Sequence, residues 1–225
     1  MARDYFTLVA SLPRLPHFER SEWLPLSRKQ IDQRLSMLDP IDARQLKIAE
    51  GLVRWQNQPI TRSVPQMLTQ YRLLMETASQ EGLREFVQIR MTQRSALVAL
   101  RRRRRGLGPP VEGEVWGLGP HVRRIAAGWD RPDLGISGLI PWVERADQLL
   151  ESRDARELNR LMMDSVWQRL SRLGDRRPFG FEQVVSFVFR WDILQRWLAY
   201  DASAAKTRFT ELIREVTREH QQLFH

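Results

Sequence analysis

Apolar side chains recur along this chain at three- and four-residue intervals, the spacing that puts them on one face of an α-helix. Val64, Met67, Leu68, Tyr71, Leu74, Met75 and Ala78 form the cleanest stripe and predict a helix from about Val64. Upstream, Ser27 reads as the N-cap of a short helix through Leu38, with Ile31, Leu35 and Leu38 on one face. Asp39 and Pro40 read as the N-cap and first residue of the next helix. That helix runs through Ile41, Leu46, Ala49, Leu52 and Val53 to about Trp55, where the polar run from Gln56 to Pro59 ends it. Gly82 is either the cap of the Val64 helix or a weak point in a longer one. A further stripe starts at Leu83, Phe86 and Val87, resumes at Leu97, Val98 and Leu100, and closes at Gly106. Arg90 and Arg94 occupy the same face between its two apolar parts.

Residues 106–120 are rich in Gly and Pro and form the one candidate boundary between lobes. Beyond them a short helix is expected over His121 to Trp129, an irregular stretch over Leu134 to Leu139, and a helix from Trp142 to about Glu151. A longer helix should cover Arg153 to Leu173 and stop at Gly174. Phe181 to Tyr200 is apolar on most sides and should lie at the centre of a bundle. A last stripe carries Phe209, Leu212, Ile213, Val216, His220 and Leu223. Only Tyr5 to Leu12 could be extended. The pattern predicts one all-α domain over residues 1–225, an irregular bundle of seven to nine helices, with no repeat of solenoid period.

Composition narrows the chemistry. The 225 residues include no Cys, which excludes disulfides, iron–sulfur clusters and cysteine zinc sites. The longest uncharged run, Leu134 to Val143, is half the roughly 20 residues a membrane span needs. Tyr5 to Leu12 lacks a cleavage pattern after it and reads as structure, not as a signal peptide. A soluble, cytosolic protein is expected. Its net charge is +9, carried by 33 Arg and three Lys against 27 acids. The excess is local: between Arg84 and Arg105 eight Arg stand against the single acid Glu85.

No phosphate-binding loop, dinucleotide fingerprint, nucleophile elbow or zinc-protease motif is present. The four His (His17, His121, His220, His225) are scattered, and a metal centre needs three or four convergent ligands, so no metal or other cofactor is expected. Asp192 lies in the most apolar helix and Asp164 beside two Met, so each needs a cationic partner. The economical expectation pairs Arg90 or Arg94 with Asp192 or Asp164, because the planar guanidinium meets a carboxylate with two hydrogen bonds. A general acid–base pair at Asp164 and Asp192 is the catalytic alternative. Trp167, Trp191 and Trp197 belong to apolar stripes and read as core, whereas Trp116 and Trp129 lie near loops and are candidate anchors for a partner. The run Arg101, Arg102, Arg103, Arg104, Arg105 ends a helix, where cations complement the dipole. It is a candidate dock for an acidic protein, anionic lipid or nucleic acid.

Three segments carry a resemblance: Asp4 to Pro13 (DYFTLVASLP), Phe86 to Arg101 (FVQIRMTQRSALVALR) and Phe189 to Asp201 (FRWDILQRWLAYD). Together they resemble a family of bacterial proteins encoded among the subunits of V/A-type rotary ATPases. The resemblance implies the role of the ATPase subunit called C or d, an all-α socket joining the rotating central stalk to the membrane rotor ring. It carries no catalytic or cofactor residues over. The chain is shorter than a typical three-lobed subunit of that kind and has room for two lobes at most.

The leading expectation is therefore a non-catalytic coupling or assembly subunit. Its partners would be central-stalk and ring subunits at the inner face of the cell membrane, with anionic lipid as a further surface. The alternative is a helical protein that binds nucleic acid through Arg101 to Arg105.

Overall fold

The computed structural model describes residues 4–54, 64–111 and 113–200. Within them the chain is all-α. Helix α1 spans Phe6–Ser11, α2 Arg28–Leu35, α3 Pro40–Val53, α4 Val64–Thr77 and α5 Glu81–Arg104. Helix α6 spans Val122–Ala127, α7 Val143–Glu151 and α8 Ala155–Arg176, and α9 covers residues 181–200. The expected last helix around Phe209 to Leu223 and the expected end of α3 near Trp55 lie outside the described residues.

Local chemistry sets most boundaries where the stripes put them. Ser27 caps α2 with a full capping box: its side chain accepts from the Gln30 backbone N–H, and Gln30 Oε1 accepts from the Ser27 N–H at 2.8 Å. Asp39 caps α3 through the Ile41 N–H at 2.9 Å, with Pro40 at the first helical position. Helix α8 starts two residues later than expected. Arg153 is left-handed (φ 58°), and Asp154 behind it accepts from the Glu157 N–H.

Three readings change. The Tyr5–Leu12 segment is helical, not extended: among the described residues one bridge, Asp4 to Gly180, is the strand pairing there, and Leu8 turns inward from α1. Gly82 lies in the first turn of α5, after a break that ends α4 at Thr77. Gly174 does not stop α8, which continues to Arg176. A Cβ at Gly174 would stand 2.2 Å from Gln183 Oε1 and 3.1 Å from the Ser186 Cβ, so this glycine is there to let α9 approach α8.

Two hydrophobic cores result. The larger gathers α3, α4, the first half of α5, the second half of α8, and α9. The smaller gathers the rest of α5 with α6, α7, the turns around Trp129 to Ile140, and the start of α8. Helices α5 and α8 run through both, so the change of core falls inside these helices. The 106–120 segment instead returns to α5. Leu118 is buried in the larger core, and Ser95 Oγ both donates to its carbonyl and accepts from its N–H at 2.7 Å. Helix α9 is central as expected: Val184, Val185, Phe187, Val188, Phe189, Trp191 and Leu194 are all buried. Trp191 Nε1 also donates to the Leu26 carbonyl at 2.8 Å, tying α9 to the turn before α2.

Candidate docking groove

Between α5, α8 and α9 runs a trough of about 570 Å³. Its walls follow from helical spacing. Helix α5 supplies Phe86, Arg90, Leu97 and Arg101, spread over about four turns on one side. Helix α8 supplies Leu158, Met162, Met163 and Val166, and α9 supplies Phe189, Ile193, Arg196 and Tyr200. Arg54 and Asp192 also line it. Most of the lining is thus aliphatic, aromatic and thioether, a surface that adapts readily to apolar side chains. The cations sit along its length. Arg90 and Arg101 are eleven residues apart on one helix, which is ~16 Å at 1.5 Å per residue.

The electrostatics of the trough are uneven. Arg90 is half-buried and donates to Gln93 Oε1 at 2.8 Å. Burial lowers its pKa to about 10, with the charge of Arg196 adding to the effect, so two like charges share this part of the groove. Arg101 and Arg196 are exposed, and among the described residues neither has a carboxylate within ion-pair distance.

The expected pairing of Arg90 or Arg94 with Asp192 or Asp164 is not what forms. Asp192 accepts from Arg54 Nε, and Arg54 also meets Glu50 at 3.0 Å. Glu50 in turn accepts two bonds from Arg28, at 2.8 and 3.2 Å, and Arg28 reaches Asp32 at 2.8 Å. The chain of charges therefore links α2, α3 and α9. Arg54 wins because it is the C-cap residue of α3, where the helix ends and its side chain is free to turn toward α9. Burial pushes the Asp192 carboxyl up to about 6, outweighing the pull of Arg54. Asp164 faces His17 Nε2 at 3.2 Å and accepts from Gln168 at 2.7 Å. Arg94 contacts the Met67 sulfur on α4.

The arginine run divides. Arg102 pairs with Glu114 in the loop. Arg103 donates to the carbonyls of Trp129 and Arg131, at 3.1 and 2.9 Å, and to Asp147 at 2.9 Å. Arg104 reaches Asp147 at 2.9 Å and Glu151 at 3.2 Å. These three guanidiniums hold the end of α5 to the loop and to α7, and so are engaged within the chain. Arg101 faces the trough, and Arg105 is exposed past the helix end. Consecutive residues point about 100° apart, which is why one run serves four directions.

The tryptophan anchors are also revised. Trp129 is 5% exposed and lies in the smaller core, with half-buried Trp116 packed edge-on against it at 6.4 Å. They complete a core instead of presenting a surface. Among the described residues no cluster of His, Asp or Glu could hold a metal ion, and no helix is long and apolar enough to cross a membrane.

The trough itself was hidden in the sequence. Its signal was present as Arg90 and Arg101 interrupting an apolar stripe, and as Arg196 following Phe189 and Ile193 on one face of α9. Nothing local says that α5, α8 and α9 come together with a gap between them. Comparison with family models, with curated proteins and with solved structures gave no match.

Proposed function

We propose that this chain is a non-catalytic coupling or assembly subunit of a V/A-type rotary ATPase, positioned between the central stalk and the membrane rotor ring. The trough between α5, α8 and α9 is the observation that supports a docking role. Its lining is mostly apolar, with Arg101 and Arg196 exposed at it, the chemistry of a groove that receives a helix of another protein. The segment resemblance supplies the setting. Two long helices shared by both cores suit a mechanical part, since close-packed interiors deform little under load. The nucleic-acid alternative draws less support, because Arg102, Arg103 and Arg104 are already engaged within the chain.

The test is affinity purification of the tagged full-length chain, at its native level, from detergent-solubilised membranes. Central-stalk and rotor-ring subunits should co-purify in fixed ratio. Their absence at both low and moderate salt would refute the setting.

A further inference from the structure

We infer that the occupant of the trough is an amphipathic helix of about three turns, apolar on one face and carrying carboxylates along one flank. The inference rests on the docking role proposed above and specifies its partner. Length is the first argument. The lining residues of α8 run from Ala155 to Val166 and those of α9 from Phe189 to Tyr200, eleven residues of separation in each case. That is ~16 Å of wall on either side, the length of three helical turns.

Charge placement is the second argument, and it selects among anionic ligands. A fatty acid or other single-headed amphiphile concentrates its charge at one end. Here Arg90 and Arg196 share one stretch of the trough, whereas Arg101 lies ~16 Å further along α5. One headgroup cannot meet both. Carboxylates at positions i and i+11 of a helix lie ~16 Å apart on nearly one side and can. Arg101 and Arg196 are exposed and clear of described carboxylates, so each is available to an incoming acid. The apolar stripe of such a helix would rest on Leu158, Met162 and Ile193.

The experiment uses synthetic, helix-stapled peptides of 15 residues and the full-length chain. The first carries Leu at i, i+4, i+7 and i+11 and Glu on one flank, including two Glu eleven positions apart. The second has Gln for every Glu, and the third keeps two adjacent Glu at one end. Binding is read by fluorescence anisotropy at 50 and 300 mM salt. The first peptide should bind about tenfold more tightly than the second and more tightly than the third, with the advantage shrinking at high salt. Arg101→Gln and Arg196→Gln should each remove ~3- to 10-fold of that advantage and leave the Gln peptide unaffected. Unchanged thermal melts will show that both variants fold.

Four results would overturn the inference. The peptides bind equally or none binds. Oleate displaces the first peptide and binds with Arg101→Gln unaffected, which assigns the trough to a single-headed amphiphile. Binding appears only after Phe209→Glu and Ile213→Glu in the full chain, which assigns it to the chain's own C-terminal segment. Sedimentation shows a dimer that the first peptide dissociates, which assigns it to a second copy. Co-purification of ATPase subunits is independent of these results. If it succeeds while the peptides fail, the assembly role stands and the helix falls.

Discussion

The carboxyl of Asp192 gives the most direct check on the charge chain from α2 to α9. Its pKa is pushed from 3.8 to about 6 by burial, against the attraction of Arg54. Between those two values the folded chain holds a proton that the unfolded chain has released. Stability attributable to Asp192 is therefore fully present below pH 3.8 and is lost as pH rises through 6. At 1.36 kcal/mol per unit the loss is at most ~3 kcal/mol. Asp192→Asn removes the titration and leaves Arg54 its ion pair with Glu50, so the guanidinium keeps an opposite charge beside it. Urea unfolding of both proteins at pH 4, 5, 6 and 7 isolates the effect, because every other titrating group cancels in the difference. The Asn variant should match the parent at pH 4 within ~1 kcal/mol, gain on it between pH 4 and 6, and level off by pH 7. A difference that is flat with pH would show that the carboxyl is not shifted. A difference of the opposite slope would show that the pull of Arg54 exceeds the cost of burial, and the ranking of the two effects would be wrong.

Three further substitutions test the packing around the smaller core. A Cβ at Gly128 would stand 2.5 Å from the Leu134 carbonyl oxygen and 2.9 Å from the Gly135 nitrogen, both main chain, so Gly128→Ala should cost ~1–3 kcal/mol in urea unfolding, and a cost near zero would place this turn differently. Neighbours in the arginine run should behave unequally. Arg103→Ala strands the half-buried Trp129 carbonyl, removes one of the two bonds to the Arg131 carbonyl and unpairs Asp147 on that side, and should cost ~1–3 kcal/mol, whereas Arg104→Ala breaks exposed pairs and should cost below ~1 kcal/mol; equal losses by thermal melt would contradict the division of the run.

What could be read ahead from the chain follows from the range of the interaction involved. Ser27 with Gln30, and Asp39 with Pro40, set helix starts through bonds that span two or three residues, and both starts fall where the stripes put them. The same is true of α9, whose apolar sides demand a central place whatever surrounds it. Gly174 fails as a stop signal because its reason lies on another helix, at Gln183 and Ser186. Asp192 shows the limit most clearly. That a carboxylate amid Trp191, Ile193 and Leu194 must find a cation follows from the cost of burying charge. Which cation it finds depends on where α3 ends, 138 residues earlier, and helix periodicity is silent on ends. The arginine run carries the same lesson into function. Composition counts Arg101 to Arg105 as five equivalent charges. The fold assigns Arg102 to a loop, Arg103 to two carbonyls and a carboxylate, and Arg104 to α7. What is left for a partner from the run is Arg101 in the trough and Arg105 at the helix end. A strongly basic helix thus leaves few of its cations uncommitted, set at defined places, and the proposed docking of an acidic helix draws on that placement and not on the total charge.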